Sequence, residues 1–441
     1  MAGSDEAPQS TAPRGPGVPR LMVRALRAFL DTESVGALTL LAATLVALSW
    51  ANSPWGATYG ELWGSEVPVR LGAFEIVESV RGWVNDGAMT LFFFVVGLEI
   101  KRELASGELS DRRAAALPIV AALGGMAVPA LIFVALNAGG PGAAGWGVPM
   151  ATDIAFALGA LALLGPHLPA GLTVFLLSLA IVDDIGSIIV IALFYADTID
   201  VAALGVAVLL VGVVAVLKRL DVRWVSMYAL VGAAVWLATL RSGVPATIAG
   251  VVLGLMTPAC VLSAGGARPR RAPKALRRLF GGVESATSRS EESQPVAERL
   301  EQSLHPYTSY VVLPLFALAN AGLVLDSQTL ADTFSSPVTR GLVVARVAGK
   351  VVGITGFAWL AVRFRIATLP AEIGWRHITG AATVAAVGFT VSLFVAQGAY
   401  SDPALVDASK VGLFAASLIA AAAGALVLRP DRSHGRAMME G

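Results

Sequence analysis

Leu176-Leu177-Ser178-Leu179-Ala180-Ile181-Val182-Asp183-Asp184-Ile185-Gly186-Ser187-Ile188-Ile189-Val190-Ile191 sets two adjacent carboxylates in the middle of an apolar run. The run reads as a membrane-spanning helix. A charge at bilayer depth costs about 2.5–3.5 kcal/mol or more, so such residues usually line an ion or proton path. Neighbours on an ideal helix point about 100° apart, so the two aspartates cannot face one partner equally. One is expected in a cavity and the other at a helix crossing.

The rest of the chain supports a membrane setting. It has 441 residues, of which 56% are hydrophobic and only 14% charged, where soluble domains carry about 25% charged residues. The mean hydropathy is +0.72, and the apolar signal recurs along the whole length, which excludes a single anchor on a soluble domain. A formal net charge of +1 gives no reason to invoke nucleic acid. Cys260 is the sole cysteine, so no intrachain disulfide is possible, and its apolar neighbours mark it as a small packing residue.

Twelve windows qualify as spans: 35–51, 83–104, 115–136, 147–164, 170–195, 201–217, 224–240, 243–263, 307–324, 340–362, 376–398 and 405–428. Basic residues cluster before the first, after each even-numbered window from the second to the tenth except the fourth, and after the last. Acidic or neutral residues dominate the opposite loops, with Arg70, Arg81, Arg241 and Arg340 as scattered exceptions. That bias predicts an all-α integral membrane protein with both termini cytoplasmic. Residues 1–30 read as a disordered cytoplasmic tail rich in Pro, Ser and Gly, 31–428 as the twelve-span domain, and 429–441 as a second cytoplasmic tail. Residues 264–304, basic and then Ser- and Glu-rich, read as a cytoplasmic linker between spans eight and nine. No segment is large enough for a separate catalytic domain, and neither an enzyme nor a cofactor is expected.

Lys350 lies mid-span, too deep to snorkel, so it requires a carboxylate or a water-filled cavity. Asp183 or Asp153 is the expected partner; a fixed ion pair that only ties two helices together remains open. Asp153 follows Pro149 in Gly147-Val148-Pro149-Met150-Ala151-Thr152-Asp153, where proline removes a backbone donor. An unwound turn there would free carbonyls, let Asp153 offset a positive helix end, and bring in the Thr152 hydroxyl. A second interruption falls within Gly380–Thr390. Paired breaks point to a transporter built from inverted repeats with its site at the crossing. Pattern alone is equally compatible with two ordinary Gly-containing helices.

Carboxylates, a hydroxyl and freed carbonyls suit a hard cation such as Na⁺. If proton and cation compete for the same oxygens, a site open alternately to each side couples their fluxes. Glu99 and Glu103, four residues apart at the cytoplasmic end of the second span, and Glu301, just ahead of the ninth, form a candidate pH-responsive mouth, or else a solvated helix end. Asn85 and Asp86, at the outer end of the second span, are candidates for the exit path. A channel would also use carboxylates and broken helices, but it would dissipate gradients instead of coupling them. An intramembrane aspartyl protease needs two carboxylates on one proton and one water. Adjacent residues on one helix converge poorly, although Asp153 with Asp183 could.

The motifs resemble those of the NhaA-type Na⁺/H⁺ antiporters. The resemblance is carried by Trp83-Val84-Asn85-Asp86-Gly87, Gly97-Leu98-Glu99-Ile100-Lys101-Arg102-Glu103-Leu104, Ala151-Thr152-Asp153-Ile154-Ala155-Phe156-Ala157-Leu158-Gly159 and Ala180-Ile181-Val182-Asp183-Asp184. Leu313-Pro314-Leu315-Phe316-Ala317-Leu318-Ala319-Asn320-Ala321-Gly322, Gly349-Lys350 and Val387-Gly388-Phe389-Thr390 extend it, from about residue 30 to 428. Inverted repeats with two discontinuous helices are a known property of that family. The resemblance implies a twelve-span bacterial inner-membrane antiporter that electrogenically exchanges internal Na⁺ or Li⁺ for external H⁺. It implies Asp183 and Asp184 as the cation and proton site, Thr152 and Asp153 at the first break, and Lys350 as the buried amine. It also implies Glu99, Glu103 and Glu301 as the pH-responsive region. Family members can be homodimers, and Val67-Pro68-Val69-Arg70-Leu71, within the outer segment 53–80, is a candidate interface strand. Two departures stand out. Pro245 replaces a histidine, so no pH response can reside there, and the basic linker is longer than usual.

Overall fold

In a computed structural model, the described residues are 18–71, 74–163, 168–196, 198–220, 224–257, 296–326, 331, 333–370 and 372–429. Cys260, most of the linker and most of both tails lie outside them. The helix carrying the aspartates, Ala170–Phe194, has 25 residues and no internal proline. At 1.5 Å per residue it spans roughly 38 Å, enough for a hydrocarbon core of about 30 Å. Both aspartates lie near its middle and are buried.

Six described helices are long and apolar enough to cross a membrane: Val80–Ser106, Arg112–Asn137, Ala170–Phe194, Val201–Arg219, Pro337–Arg363 and Pro403–Val427. Their ends are written in sequence. Asp111, Asp200, Ser336 and Asp402 accept hydrogen bonds from first-turn amides, and Pro337 and Pro403 occupy positions where no amide is needed. Val201–Arg219 buries only Ala207 and Val214 and exposes an apolar surface suited to lipid.

The other expected spans appear as shorter or interrupted helices. Val225–Arg241 and Thr247–Met256 have 17 and 10 residues. Residues 296–320 are helical with a wide, i→i+5 bonded turn at Thr308–Val312. Val35–Ala51 and Gly56–Gly64 meet at 113°. The expected outer strand is present: β1 (Glu66–Leu71) pairs antiparallel with β2 (Phe74–Ser79), with Arg70 opposite Glu75 at 2.8 Å.

Two features position the site. Helix Arg112–Asn137 crosses Lys350–Arg363 in backbone contact, because a Cβ on Gly124 would fall on the Gly353 carbonyl and one on Gly353 on the Gly124 carbonyl. That crossing fixes the segment from which Lys350 projects. The second feature is the expected pair of breaks. Short turns over Pro141–Gly147 run into irregular residues 148–153 before helix Ile154–Leu163. Helices Trp375–Val384 and Thr390–Ala399 are separated by 385–389. The unwound strands touch: Asp153 N–H donates to the Val387 carbonyl at 3.3 Å.

Candidate ion-binding site

Lys350 and Asp183 are both fully buried, and Lys350 Nζ donates to Asp183 Oδ2 at 2.5 Å. The Thr152 hydroxyl completes the cluster. It accepts from Lys350 Nζ at 2.9 Å. Its single hydrogen lies within reach of Asp183 Oδ2 at 2.7 Å and the Ala385 carbonyl at 3.0 Å. The helix bearing the aspartates, the Lys350 helix and both breaks therefore meet at one point. Asp184, 5% exposed, forms no ion pair among the described residues, and its Oδ1 has no hydrogen-bonding partner among them.

Of the two partners open for Lys350, the structure selects Asp183. Asp153 acts elsewhere: its Oδ2 accepts from Thr390 N–H at 3.1 Å and the Thr390 hydroxyl at 2.7 Å, and its Oδ1 from Phe156 N–H at 3.3 Å. It thus caps the first turns of both second half-helices, where the helix dipole favours negative charge. Asp153 and Asp183 have separate partners and share no hydrogen bond, which argues against a protease dyad.

Arg346 is the residue that the sequence reading missed. It is fully buried, and its guanidinium donates to the carbonyls of Ala151 at 2.8 Å, Ala386 at 3.1 Å and Val148 at 3.4 Å, and to Ser392 Oγ at 2.5 Å. These are the carbonyl ends left open by the two breaks, where a cation is favoured. A planar fork reaches several acceptors at once. Gly388 leaves it room, since a Cβ there would fall on Arg346 Nη2. A wide turn over Ala345–Gly349 sits at this place in the helix. The signal was available: Arg346 is mid-span and four residues before Lys350, on the same helix face.

At the foot of helix Val80–Ser106, Arg102 bridges Glu103 on its own helix, at 3.3 Å, and Glu301 on Val296–Tyr307. Glu103 Oε2 also accepts from Glu108 N–H at 3.1 Å. Glu99 lies one turn away, half-buried. Burial pushes the Glu301 carboxyl up to about 7; Arg102 and His305 oppose the rise, and Glu99 and Glu103 add to it. The three glutamates are therefore gathered around one arginine.

At the other end, Asn85, Gln397 and Asn320 close a ring of amides that the sequence did not disclose. Asn85 Nδ2 donates to Gln397 Oε1 at 2.5 Å, Gln397 Nε2 to Asn320 Oδ1 at 2.6 Å, and Asn320 Nδ2 to Asn85 Oδ1 at 2.8 Å. Beside it lies a cavity of about 410 Å³, lined in part by Tyr59, Arg81, Asn320, Gln397 and Lys410. The backbone carbonyl of the neighbouring Asp86 accepts from Trp236 Nε1 at 2.8 Å.

Comparison with known proteins agrees with this geometry. Residues 27–428 match the model of the family described as Na⁺/H⁺ antiporter 1. The chain belongs to that family. It is 43% identical to Na⁺/H⁺ antiporter NhaA 3 of Frankia alni, with 95% of this chain and 92% of that protein covered. It is 44% identical to Na⁺/H⁺ antiporter NhaA 2 of Sorangium cellulosum, covering 95% and 94%, and 41% identical to Na⁺/H⁺ antiporter NhaA of Janthinobacterium, covering 95% of each. The resemblance read from the motifs is borne out. Membership makes this a multi-pass membrane transporter, and it favours cation transport over the protease reading of the aspartates.

Proposed function

We propose that the chain exchanges internal Na⁺ or Li⁺ for external H⁺ by alternating access at Asp183 and Asp184. The observation that carries this reading is the fully buried Lys350–Asp183–Thr152 cluster at the meeting of two broken helices. An ionised carboxylate at that depth is costly unless a cation or a proton neutralises it. Asp184 forms no ion pair among the described residues, so it takes one or the other, and the two cargoes exclude each other. Asp153 and Arg346 compensate the half-helix ends and hold the crossing in place. Exchanging more protons than cations makes the cycle electrogenic and responsive to voltage.

In this reading the chain crosses the bacterial inner membrane twelve times as inverted repeats, with both termini cytoplasmic. The bilayer and a second copy of the chain, across the β1–β2 hairpin, are its further partners. The test uses energised everted vesicles from cells lacking their own antiporters. Addition of Na⁺ or Li⁺, but not K⁺, is expected to release internal protons. No proton movement at any pH would overturn the assignment.

The foot cluster is the proposed pH-responsive mouth. The folded-state value of Glu301, about 7, lies above the ordinary 4.5. The folded protein therefore binds the extra proton between those values, and the contribution of this group to stability falls as pH rises through about 7. Glu301→Gln is expected to remove the part of the melting-temperature decline between pH 5 and 8 that this group causes, and to shift the pH profile of exchange. Superimposable profiles would remove Glu301 from the pH response.

The amide ring is the proposed outer closure, with Asn85 and Asp86 at the head of the exit path. Asn320→Leu orphans the Asn85 carbonyl and one Gln397 donor, each at a cost of about 1–3 kcal/mol. The expected result is a faster proton leak from energised vesicles before any Na⁺ is added. A wild-type leak would show that the ring is only structural.

A further inference from the structure

Three buried side-chain oxygens on helix Ala170–Phe194 have no hydrogen-bonding partner among the described residues: Asp183 Oδ1, Asp184 Oδ1 and Ser187 Oγ. The first two belong to the proposed cation site, but Ser187 has no part in it so far. Its side chain is 2% exposed. A buried hydroxyl left unpaired costs about 1–3 kcal/mol, and a helical serine ordinarily avoids this by donating to a carbonyl one turn back.

Helix geometry relates the three oxygens. At about 100° per residue, Ser187 projects about 40° round from Asp183 and about 60° from Asp184, within the arc that separates them. It lies roughly 4.5 Å along the axis from Asp184 and roughly 6 Å from Asp183, toward the C-terminal end of the helix. Helical side chains lean toward the N-terminus, so the Ser187 hydroxyl tilts back over the turn that bears the carboxylates. Two anionic oxygens and one neutral oxygen, all hard, form a partial shell of the kind an alkali cation takes.

We infer that Ser187 is a third protein ligand of the transported cation, alongside Asp183 Oδ1 and Asp184 Oδ1. The inference rests on the two-aspartate reading and deepens it. It separates the two cargoes. A serine hydroxyl does not titrate near neutral pH, so it coordinates Na⁺ without competing for the transported proton. Its removal therefore weakens the cation side of the exchange and leaves the proton side unchanged.

The test measures Na⁺-dependent proton release by Ser187→Ala, Ser187→Cys and Ser187→Thr in everted vesicles, and Na⁺ binding to the purified full-length proteins by calorimetry. Cysteine nearly matches the size of serine but offers a soft sulfur that alkali cations bind poorly, so it separates coordination from packing. The expected result is an apparent KM for Na⁺ raised about tenfold in the Ala and Cys variants, which corresponds to about 1.4 kcal/mol. At saturating Na⁺ the maximal rate and the pH profile remain as in wild type, and Ser187→Thr restores the KM. An unchanged KM and Na⁺ affinity in Ser187→Cys overturns the inference, as does a loss confined to the maximal rate. Asp184→Asn, measured alongside, keeps the two readings apart. If it still exchanges, the two-aspartate site fails; if it is inactive while Ser187→Cys binds Na⁺ normally, only the role of Ser187 fails.

Discussion

Asp184→Asn is expected to give a folded protein, at least as stable as wild type, that releases no protons when Na⁺ is added. Asp184 forms no ion pair among the described residues and its Oδ1 is unpartnered. Replacing its carboxylate with an amide therefore breaks no ion pair among the described residues, but removes the group that, in the proposed cycle, either cargo neutralises. Asp183→Asn is expected to be equally inactive and clearly less stable. It leaves the Lys350 ammonium buried without its carboxylate, and breaking a buried pair from one side typically costs about 3–5 kcal/mol. Vesicle exchange and detergent-solution melting curves check both outcomes. The diagnostic is the contrast: two inactive variants, only one of them destabilised. Wild-type turnover in both would sink the site, and equal destabilisation would mean that Asp184 has a structural partner.

Arg346→Leu is expected to lower stability by about 1–3 kcal/mol for each buried acceptor it leaves unsatisfied and to abolish exchange, although Arg346 makes no hydrogen bond to Asp183. The change strips one donor set from three backbone carbonyls and a hydroxyl, and an unsatisfied buried acceptor costs about 1–3 kcal/mol. The half-helix ends then lose the cation that holds them together. Arg346→Lys restores the charge but not the planar fork, so it recovers only part of the loss. Gly388→Ala is expected to act through the same contact, because the added methyl takes the place of the guanidinium. Its effect should combine with Arg346→Leu less than additively, as for residues in one contact. Melting temperatures of the two single variants and the double variant decide this. Full additivity would separate Gly388 from Arg346, and a wild-type melting temperature for Arg346→Leu would mean that the crossing needs no fixed cation.

Much of the site was readable because a charge in an apolar run demands explanation. Asp183, Asp184 and Lys350 announced themselves by depth alone, and Pro149 with the glycines near 388 marked both breaks. Arg346 obeyed the same rule and was passed over beside the more conspicuous Lys350. The amide ring gave no such warning. Asn85, Asn320 and Gln397 are neutral and distant in sequence, and nothing local distinguishes an amide that closes a ring from one that faces water. The twelve expected windows were delimited by hydropathy, several of them short or interrupted by Gly and Pro, and the described helices differ in length. Where backbone groups leave the helix to meet partners on another segment, as at 148–153 and 385–389, the regular stretch is shortened. Hydropathy reports how side chains partition out of water and does not register that exchange of backbone partners.

The sequence by itself determined that this is a membrane-embedded helical protein of the Na⁺/H⁺ antiporter 1 family, with buried carboxylates near the middle of one span. Those properties follow from composition, local periodicity and motif order, each visible within a short window. The tertiary structure alone decided which carboxylate Lys350 takes and that Asp153 caps helix ends instead. It also decided that Arg346 holds the opposite ends, and that Arg102 gathers Glu103 and Glu301. A buried charge must be satisfied by some partner, but which partner depends on where separate helices cross, and that crossing is set by backbone contacts such as Gly124 with Gly353.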